Sequence, residues 1–190
     1  MENYRSKKML RKKIRELFAL DSFLENIESN SKIISGKIVE SFFYKNSSLL
    51  MGYMALNDEV DIRAVLLKAF DDEKKVFLPK CEGDGIVGYS VGDLKESLSL
   101  GYMGILEPVT HETVDDFDLV FVPGRAFDVS CNRLGRGKGF YDRFLAKKPS
   151  LCKVGVAFDF QIVNRIETTK NDVFMDYVIT EKRILIRNKN

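Results

Sequence analysis

The sequence predicts an α/β fold: a single domain over residues 1–190, three-layer α/β/α, with a central, mainly parallel sheet and a helical N-terminal segment packed on it. Three observations predict it. Residues 48–78 read as strand, amphipathic helix and strand, a β-α-β unit that favours parallel pairing through right-handed crossovers. Asp118-Leu119-Val120-Phe121-Val122-Pro123 is a continuous apolar run, the mark of a strand buried on both faces. Lys153 to Phe158 is a second run of that kind, and 190 residues suffice to bury a substantial core.

Taken in order, Ser6 to Leu20 is predicted to be a helix, with Leu10, Ile14 and Leu17 as its apolar stripe. Lys7 and Arg11 lie one turn apart beside the stripe, within reach of a pocket at the rim of the core. Lys12 and Lys13 read as a solvated face. Asp21 to about Tyr44 is a second helical segment, with Ile27, Ile34, Ile38 and Phe42 on one side and Gly36 weakening its interior. Ser48 to Leu56 is strand, ended by Asn57-Asp58-Glu59. Ile62, Val65, Leu66, Ala69 and Phe70 mark the following helix, and Lys75 to Leu78 a short strand ending at Pro79. Met54, Leu56 and Glu59 fall at a strand's carboxyl end, where open parallel sheets collect ligands. Glu59 equally suits a helix's first turn.

Cys81 to Gly92 reads as a hairpin or excursion at one sheet edge, Asp93 to Leu100 as a short helix, and Gly101 to Pro108 as extended loop. Gly124 to Asp128 should be a loop at the end of the central strand, with Phe127 either stacked on a flat heterocycle or buried in the core. A helix is predicted from about Lys138 to Ala146, closed by Pro149. Gln161-Ile162-Val163 is ambiguous. Tyr177 to Thr180 and Arg183 to Arg187 are strands, and Asn188 to Asn190 should fray.

The chemistry concentrates in Arg133-Leu134-Gly135-Arg136-Gly137-Lys138-Gly139-Phe140-Tyr141-Asp142. Alternating glycines leave backbone N–H groups open to an anion and permit positive φ. Arg136 offers bidentate contact and Lys138 a compact charge. Asp142 could hold a divalent cation beside phosphate oxygens. This suggests a metal-bound polyphosphate in a glycine-rich loop. It is not a Walker A loop, because no Ser or Thr follows Lys138.

Composition excludes several classes. Net charge is +2, from 30 basic and 28 acidic side chains, which gives no global case for nucleic acid. Cys81, Cys131 and Cys152 are scattered, which argues against a disulfide framework or zinc ribbon and suits a reducing cytosol. No stretch has the apolar length of a spanning helix, and no secretory leader is evident. The single His111 rules out paired-histidine catalysis.

Pro123-Gly124-Arg125-Ala126-Phe127-Asp128, a short spacer and then RLGRGKGFYD resemble the signature of 5-formyltetrahydrofolate cyclo-ligases (5,10-methenyltetrahydrofolate synthetases). The likeness extends along nearly the whole chain, including GYMGILEP at 101–108 and DVFMD at 172–176. It implies closure of 5-formyltetrahydrofolate to 5,10-methenyltetrahydrofolate with ATP as co-substrate and Mg2+ as cofactor. It also implies phosphorylation of the formyl oxygen, attack by the neighbouring amine and loss of phosphate. ATP would be held by Lys7, Arg11, Arg133, Leu134, Gly135, Arg136, Gly137, Lys138, Gly139, Phe140 and Tyr141. The folate would meet Met54, Glu59, Phe127, Arg136, Gly137, Lys138, Gly139 and Phe140. Asp142 and Asp172 would hold magnesium, and Lys138, Arg136 and Tyr141 would carry catalysis. The expected partners are these small molecules, with no nucleic acid and no membrane, for a monomer in the cytoplasm. The chain departs from the family pattern at Phe174, where proline is usual, at Phe140, where tyrosine is common, and at Arg125, where an apolar residue is usual.

Overall fold

The Ser6 hydroxyl opens the first helix by accepting a hydrogen bond from Met9 N at 3.3 Å, satisfying an otherwise orphaned helix donor. The helix, α1 (Lys7–Phe18), buries Leu10, Ile14 and Phe18. The computed structural model describes residues 6–19, 26–101, 106–114 and 116–188. Parts of four sequence-predicted segments lie outside them: residue 20 of the first helix, 21–25 of the second, 102–105 of the extended loop, and the last two residues.

The second helical segment is interrupted. α2 (Ile27–Glu40) ends at Ser41, whose backbone is extended (ψ 151°) and whose hydroxyl caps a separate turn, α3 (Phe42–Lys45). The break shifts the helical phase, so Phe42 leaves the expected apolar face and is 78% exposed. β1 (Leu49–Met51) is shorter than its apolar run. It is followed by α4 (Arg63–Asp71) and β2 (Lys75–Glu82), the predicted β-α-β unit. β2 continues through Pro79 because β1 pairs with it only over Lys75–Phe77, so beyond that point Pro79 needs no donor towards β1.

β2 turns into β3 (Gly85–Val91) through Gly83, at φ +56°, forming the edge hairpin. Residues 93–100 are not helical. The Asp93 carboxylate accepts from the N–H groups of Lys95 and Glu96, each at 2.7 Å, as an N-cap would, but no helix propagates because Leu98 to Leu100 are taken up in strand pairing. β4 (Leu98–Leu100) then pairs antiparallel with β5 (Leu106–Pro108).

β6 (Leu119–Pro123) is the fully buried strand the sequence predicts. The expected loop after it instead holds β7 (Ala126–Asp128), which pairs with β8 (Arg133–Leu134) and β10 (Ile162–Val163) in a three-stranded sheet. The helix α5 spans Phe140–Ala146, starting two residues later than predicted because Gly139 is left-handed (φ +70°). β9 (Cys152–Val156), β11 (Tyr177–Ile179) and β12 (Ile184–Ile186) complete the main sheet, whose order is β12-β11-β9-β6-β1-β2-β3. β11, β9, β6, β1 and β2 run parallel, and β12 and β3 close the two edges antiparallel.

Strand alternation divides the core. Leu50, Val76, Leu78, Leu119, Phe121 and Val154 join a cluster with residues of α1, α2 and α4. Met51, Phe77, Val120, Val122 and Val178 join the other, with Phe144 and Leu145 of α5. Helices therefore cover both faces of a mainly parallel sheet.

One charged group pins the far edge. Asp159 accepts from Arg183 Nε at 2.7 Å, Arg183 Nη2 at 2.6 Å and Thr180 Oγ1 at 3.0 Å. Burial works to raise its pKa, but Arg183 and Thr180 outweigh it and hold the carboxyl below the ordinary aspartate range. With the folded value below the unfolded one, ionised Asp159 stabilises the protein at neutral pH, and that contribution is lost as pH falls through the folded value. Thermal melts should show a stability loss on acidification below about pH 4, and Asp159→Asn should flatten that acid limb. An unchanged limb would remove Asp159 from it.

Candidate active site

Where β1 and β6 end, their chains diverge. Residues 53–59 rise on one side and 123–125 on the other, and between them opens a cavity of about 420 Å³. Its remaining walls are the β2–β3 hairpin (Pro79, Cys81, Ile86), β5 (Leu106, Glu107) and the segment from Arg133 to Asp142. This is the carboxyl-end position at which parallel sheets bind ligands.

Local conformation explains the glycines. Gly137 and Gly139 are left-handed, at φ +111° and +70°. Gly135 is needed for space, since a Cβ there would lie 2.7 Å from Arg133 Nη1. That room lets the buried Arg133 donate from Nη2 to Asp142 Oδ2 (2.9 Å) and from Nη1 to Pro123 O (3.3 Å). The guanidinium also lies 5.5 Å from the centroid of the Tyr141 ring.

The N-terminal helix reaches this loop as its spacing predicts. Arg11 Nε donates to Gly135 O at 2.8 Å, and Lys7 Nζ pairs with Asp172 Oδ2 at 2.5 Å. Asp172 also accepts from Thr169 N (2.6 Å) and Thr169 Oγ1 (3.0 Å). Burial would raise the Asp172 pKa, but Lys7 and Thr169 prevail and hold it low. The two predicted metal ligands are neighbours through the backbone, although only Asp142 lines the cavity: Val173 N, next in the chain to Asp172, donates to Asp142 Oδ1 at 3.4 Å. Magnesium is commonly held by one or two carboxylates with phosphate oxygens completing the shell. Two neighbouring carboxylates fit that need, and Asp172 Oδ1 has no partner among the described residues. No group of three or more potential ligands forms an all-protein cage among those residues.

Across the cavity Arg136 contacts Asp58 and donates to Glu59 Oε1 from Nε (3.1 Å) and Nη2 (2.8 Å). Glu59 Oε2 accepts from Leu56 N at 3.1 Å. Arg125 also pairs with Asp58, so the carboxylate bridges two guanidiniums. Its burial favours a raised pKa, yet Arg136 and Arg125 hold it below the usual range. The charge that departs from the family pattern is thus neutralised within the site. Lys138 lines the cavity with no partner among the described residues, leaving its charge available. Burial, then the charge of Glu59, drives the Tyr141 hydroxyl pKa far up, so it serves as a hydrogen-bond donor and not as a base.

Met54, Glu59, Arg136, Lys138, Gly139, Phe140, Tyr141 and Asp142 therefore share the cavity wall. Two expectations change. Phe127 is fully buried, and its ring lies where a Cβ on Gly124 or Gly155 would stand only 2.7 or 2.5 Å away. It is a core aromatic that supports the strand ends and cannot stack on a ligand from there. Leu134 likewise buries its side chain, and its carbonyl accepts from Arg125 N at 2.7 Å. The sequence reading missed Tyr53, Cys81 and Glu107 as wall residues, and Asp58 as the partner of the wall cations Arg125 and Arg136. For Asp58 a signal existed in two adjacent acids set against the unexplained cation Arg125.

Comparison with known proteins bears on the family and the fold. Residues 3–181 match the family model described as the 5-formyltetrahydrofolate cyclo-ligase family. A Schizosaccharomyces pombe protein named "Probable 5-formyltetrahydrofolate cyclo-ligase" is 34% identical over 181 residues, covering 85% of this chain and 88% of its own. The Mus musculus 5-formyltetrahydrofolate cyclo-ligase is 27% identical, covering 90% of each. The solved structure of Aquifex aeolicus 5,10-methenyltetrahydrofolate synthetase superimposes with a TM-score of 0.84 at 35% identity, covering 97% of this chain and 94% of that one.

Proposed function

This chain belongs to the 5-formyltetrahydrofolate cyclo-ligase family, and we propose that it closes 5-formyltetrahydrofolate to 5,10-methenyltetrahydrofolate with ATP and magnesium, releasing ADP and phosphate. The observation that supports the ATP requirement is the seat of Arg11 on Gly135 of a glycine loop that presents Arg136 and Lys138 to an adjoining cavity, with Lys7 one turn away on Asp172. Such a set matches an anionic chain beside a flat heterocycle.

The formyl oxygen attacks the γ-phosphorus and ADP leaves; the neighbouring amine nitrogen then adds to the carbon of the phosphorylated formyl group, its proton is lost, and phosphate departs as the methenyl bridge forms. No side-chain nucleophile is required. The chain's work is positioning and charge stabilisation of the transferring phosphoryl group. Lys138 and Arg136 face that charge, and the loop N–H groups from Gly135 to Gly139 cradle the phosphates. The Tyr141 hydroxyl donates a hydrogen bond that orients a reactant. Met54 offers apolar contact to the folate ring, and Glu59 aims Arg136. Asp142 and Asp172 would hold the magnesium ion, which neutralises phosphate charge when bound. Residues 1–190 act as one domain and, on this reading, as a monomer in the cytoplasm. No helix among the described residues is long and apolar enough to cross a membrane.

The direct test is the near-ultraviolet absorbance of methenyl-folate. It should grow when protein, 5-formyltetrahydrofolate and Mg-ATP are mixed, and should vanish without ATP or with excess chelator. Folded protein that binds ATP but gives no band would refute the folate half of the proposal. Arg11→Ala removes a charge-assisted contact worth about 1.5–3 kcal/mol. The KM for ATP should therefore rise roughly 10- to 100-fold, by 1.4 kcal/mol per decade, with the folate KM nearly constant. Equal changes in both would show that Arg11 only holds the fold.

A further inference from the structure

Arg125, the charge that departs from the family pattern, stands on a rigid mount. Its backbone N donates to Leu134 O at 2.7 Å. Its carbonyl and that of Gly124 accept from Gln161 Nε2 at 3.1 and 2.9 Å. Gln161 is 1% exposed and its Oε1 accepts from Phe158 N at 2.8 Å, so residues 124–125 are tied to the core on both sides. Asp58 is mounted differently. It lies in a turn closed by the hydrogen bond from Glu59 N to Leu56 O at 2.9 Å. Among the described residues its carboxylate is held only by two guanidiniums, Oδ2 by Arg125 and Oδ1 by Arg136. The fixed arginine therefore places the carboxylate, and not the reverse.

The carboxylate in turn places Arg136. Asp58 Oδ1 and Glu59 Oε1 take the Nε–Nη2 edge of that guanidinium, and Nη1 has no hydrogen bond to a described residue. In the function proposed above Glu59 also meets the folate, so its grip on Arg136 changes when that substrate enters. Asp58 has no such second duty. Stability alone gives little reason for the extra cation. The Arg125 side chain is only 12% exposed, and a buried ion pair is often no more stabilising than apolar residues of similar volume.

We propose that Arg125 is a positioning residue: by holding Asp58 Oδ2 it keeps Asp58 Oδ1 on Arg136, so that the free Nη1 side of that guanidinium stays presented to the transferring phosphoryl group. This inference rests on the ATP-dependent closure proposed above. Arg125 touches neither reacting group and acts only through Asp58 and Arg136. A bidentate fork with a fixed backbone suits the task, since it sets the plane of the carboxylate as well as its distance.

The experiment is a double-mutant cycle on Arg125→Leu and Arg136→Ala. It is read as single-turnover formation of methenyl-folate with protein in excess, which keeps slow variants measurable, beside a thermal melt of each protein. Arg125→Leu should slow the step roughly 2- to 30-fold, the range for a residue that acts through a network. Its melting temperature should hold within about two degrees, because Asp58 keeps Arg136 as its counter-ion. Arg125→Lys, which keeps the charge but not the fork, should recover part of the rate. In the Arg136→Ala background, Arg125→Leu should cause no further slowing, the non-additivity expected when one residue acts through the other. An Arg125→Leu protein with the parent's rate, or two effects that multiply in the double variant, overturns the inference and leaves the reaction standing. A rate loss that follows the melting temperature in both backgrounds makes Arg125 a structural residue and overturns it as well. No methenyl band from the unmodified protein overturns the reaction and this inference together. If Arg125→Leu does not fold, Arg125→Met, closer in length, is read by the same criteria.

Discussion

Lys138→Ala should lower turnover by about two to three orders of magnitude, the cost of removing one preorganised charge-stabilising donor. Its melting temperature should stay within about a degree, since an exposed side chain away from the core contributes little stability. The lysine has no protein partner among the described residues, so no internal contact is broken when it is removed. On the proposed reading its Nζ meets an anion that arrives with the substrate. Lys138→Arg should recover only part of the loss, because a planar fork does not reproduce a compact charge at the same point. The measurement is single-turnover formation of methenyl-folate alongside a thermal melt. A parallel loss of activity and stability would remove Lys138 from the chemistry.

Phe127→Ala should destabilise the protein by about 3–5 kcal/mol, the range for emptying a buried aromatic site. The ring is fully buried between the glycine backbones at 124 and 155, at the ends of β6 and β9. Removing it leaves a void under the floor of the cavity. The informative companion is Phe127→Leu, which refills most of the volume. It should regain much of the stability and keep the folate KM, as measured by denaturant unfolding and steady-state kinetics. A leucine variant of native stability with a folate KM raised tenfold or more would restore the stacking role that burial argues against.

These two residues show what a sequence can and cannot disclose. Lys138 is legible because the glycines flanking it have a local explanation, and the structure gives two of the three left-handed φ. Phe127 is not legible, because strand alternation says that a ring points to one face but not what covers that face. The β-α-β unit and the buried β6 follow from periodicity, which is a local property. The helix predicted over 93–100 gives way to strand pairing with 106–108, which local sequence does not announce, although Asp93 makes the contacts of a helix cap. Within the site, Lys7 and Arg11 were readable as a helical pair, but their partners Asp172 and Gly135 are 165 and 124 residues away. Asp58 was passed over because its meaning depends on Arg125 and Arg136, separated from it by 67 and 78 residues. Pairings over such distances are products of topology, and one sequence carries no record of them.

The docking of α1 has a consequence for the order in which the protein matures. Phe18 packs edge-on against Phe158 and Phe160, with ring centroids 6.1 and 4.8 Å apart, so α1 docks only when rings 140 and 142 residues further along have been made. Contacts that close such long loops form late, because the entropy of closure must be met before they return anything. A nascent chain released before residue 158 would have β1, β2 and β6 available to pair but could not seat Arg11 against Gly135. The seat of Arg11 on Gly135 therefore depends on residues 158–160 being in place, and fragments that end before residue 158 should lose it before they are visibly unfolded.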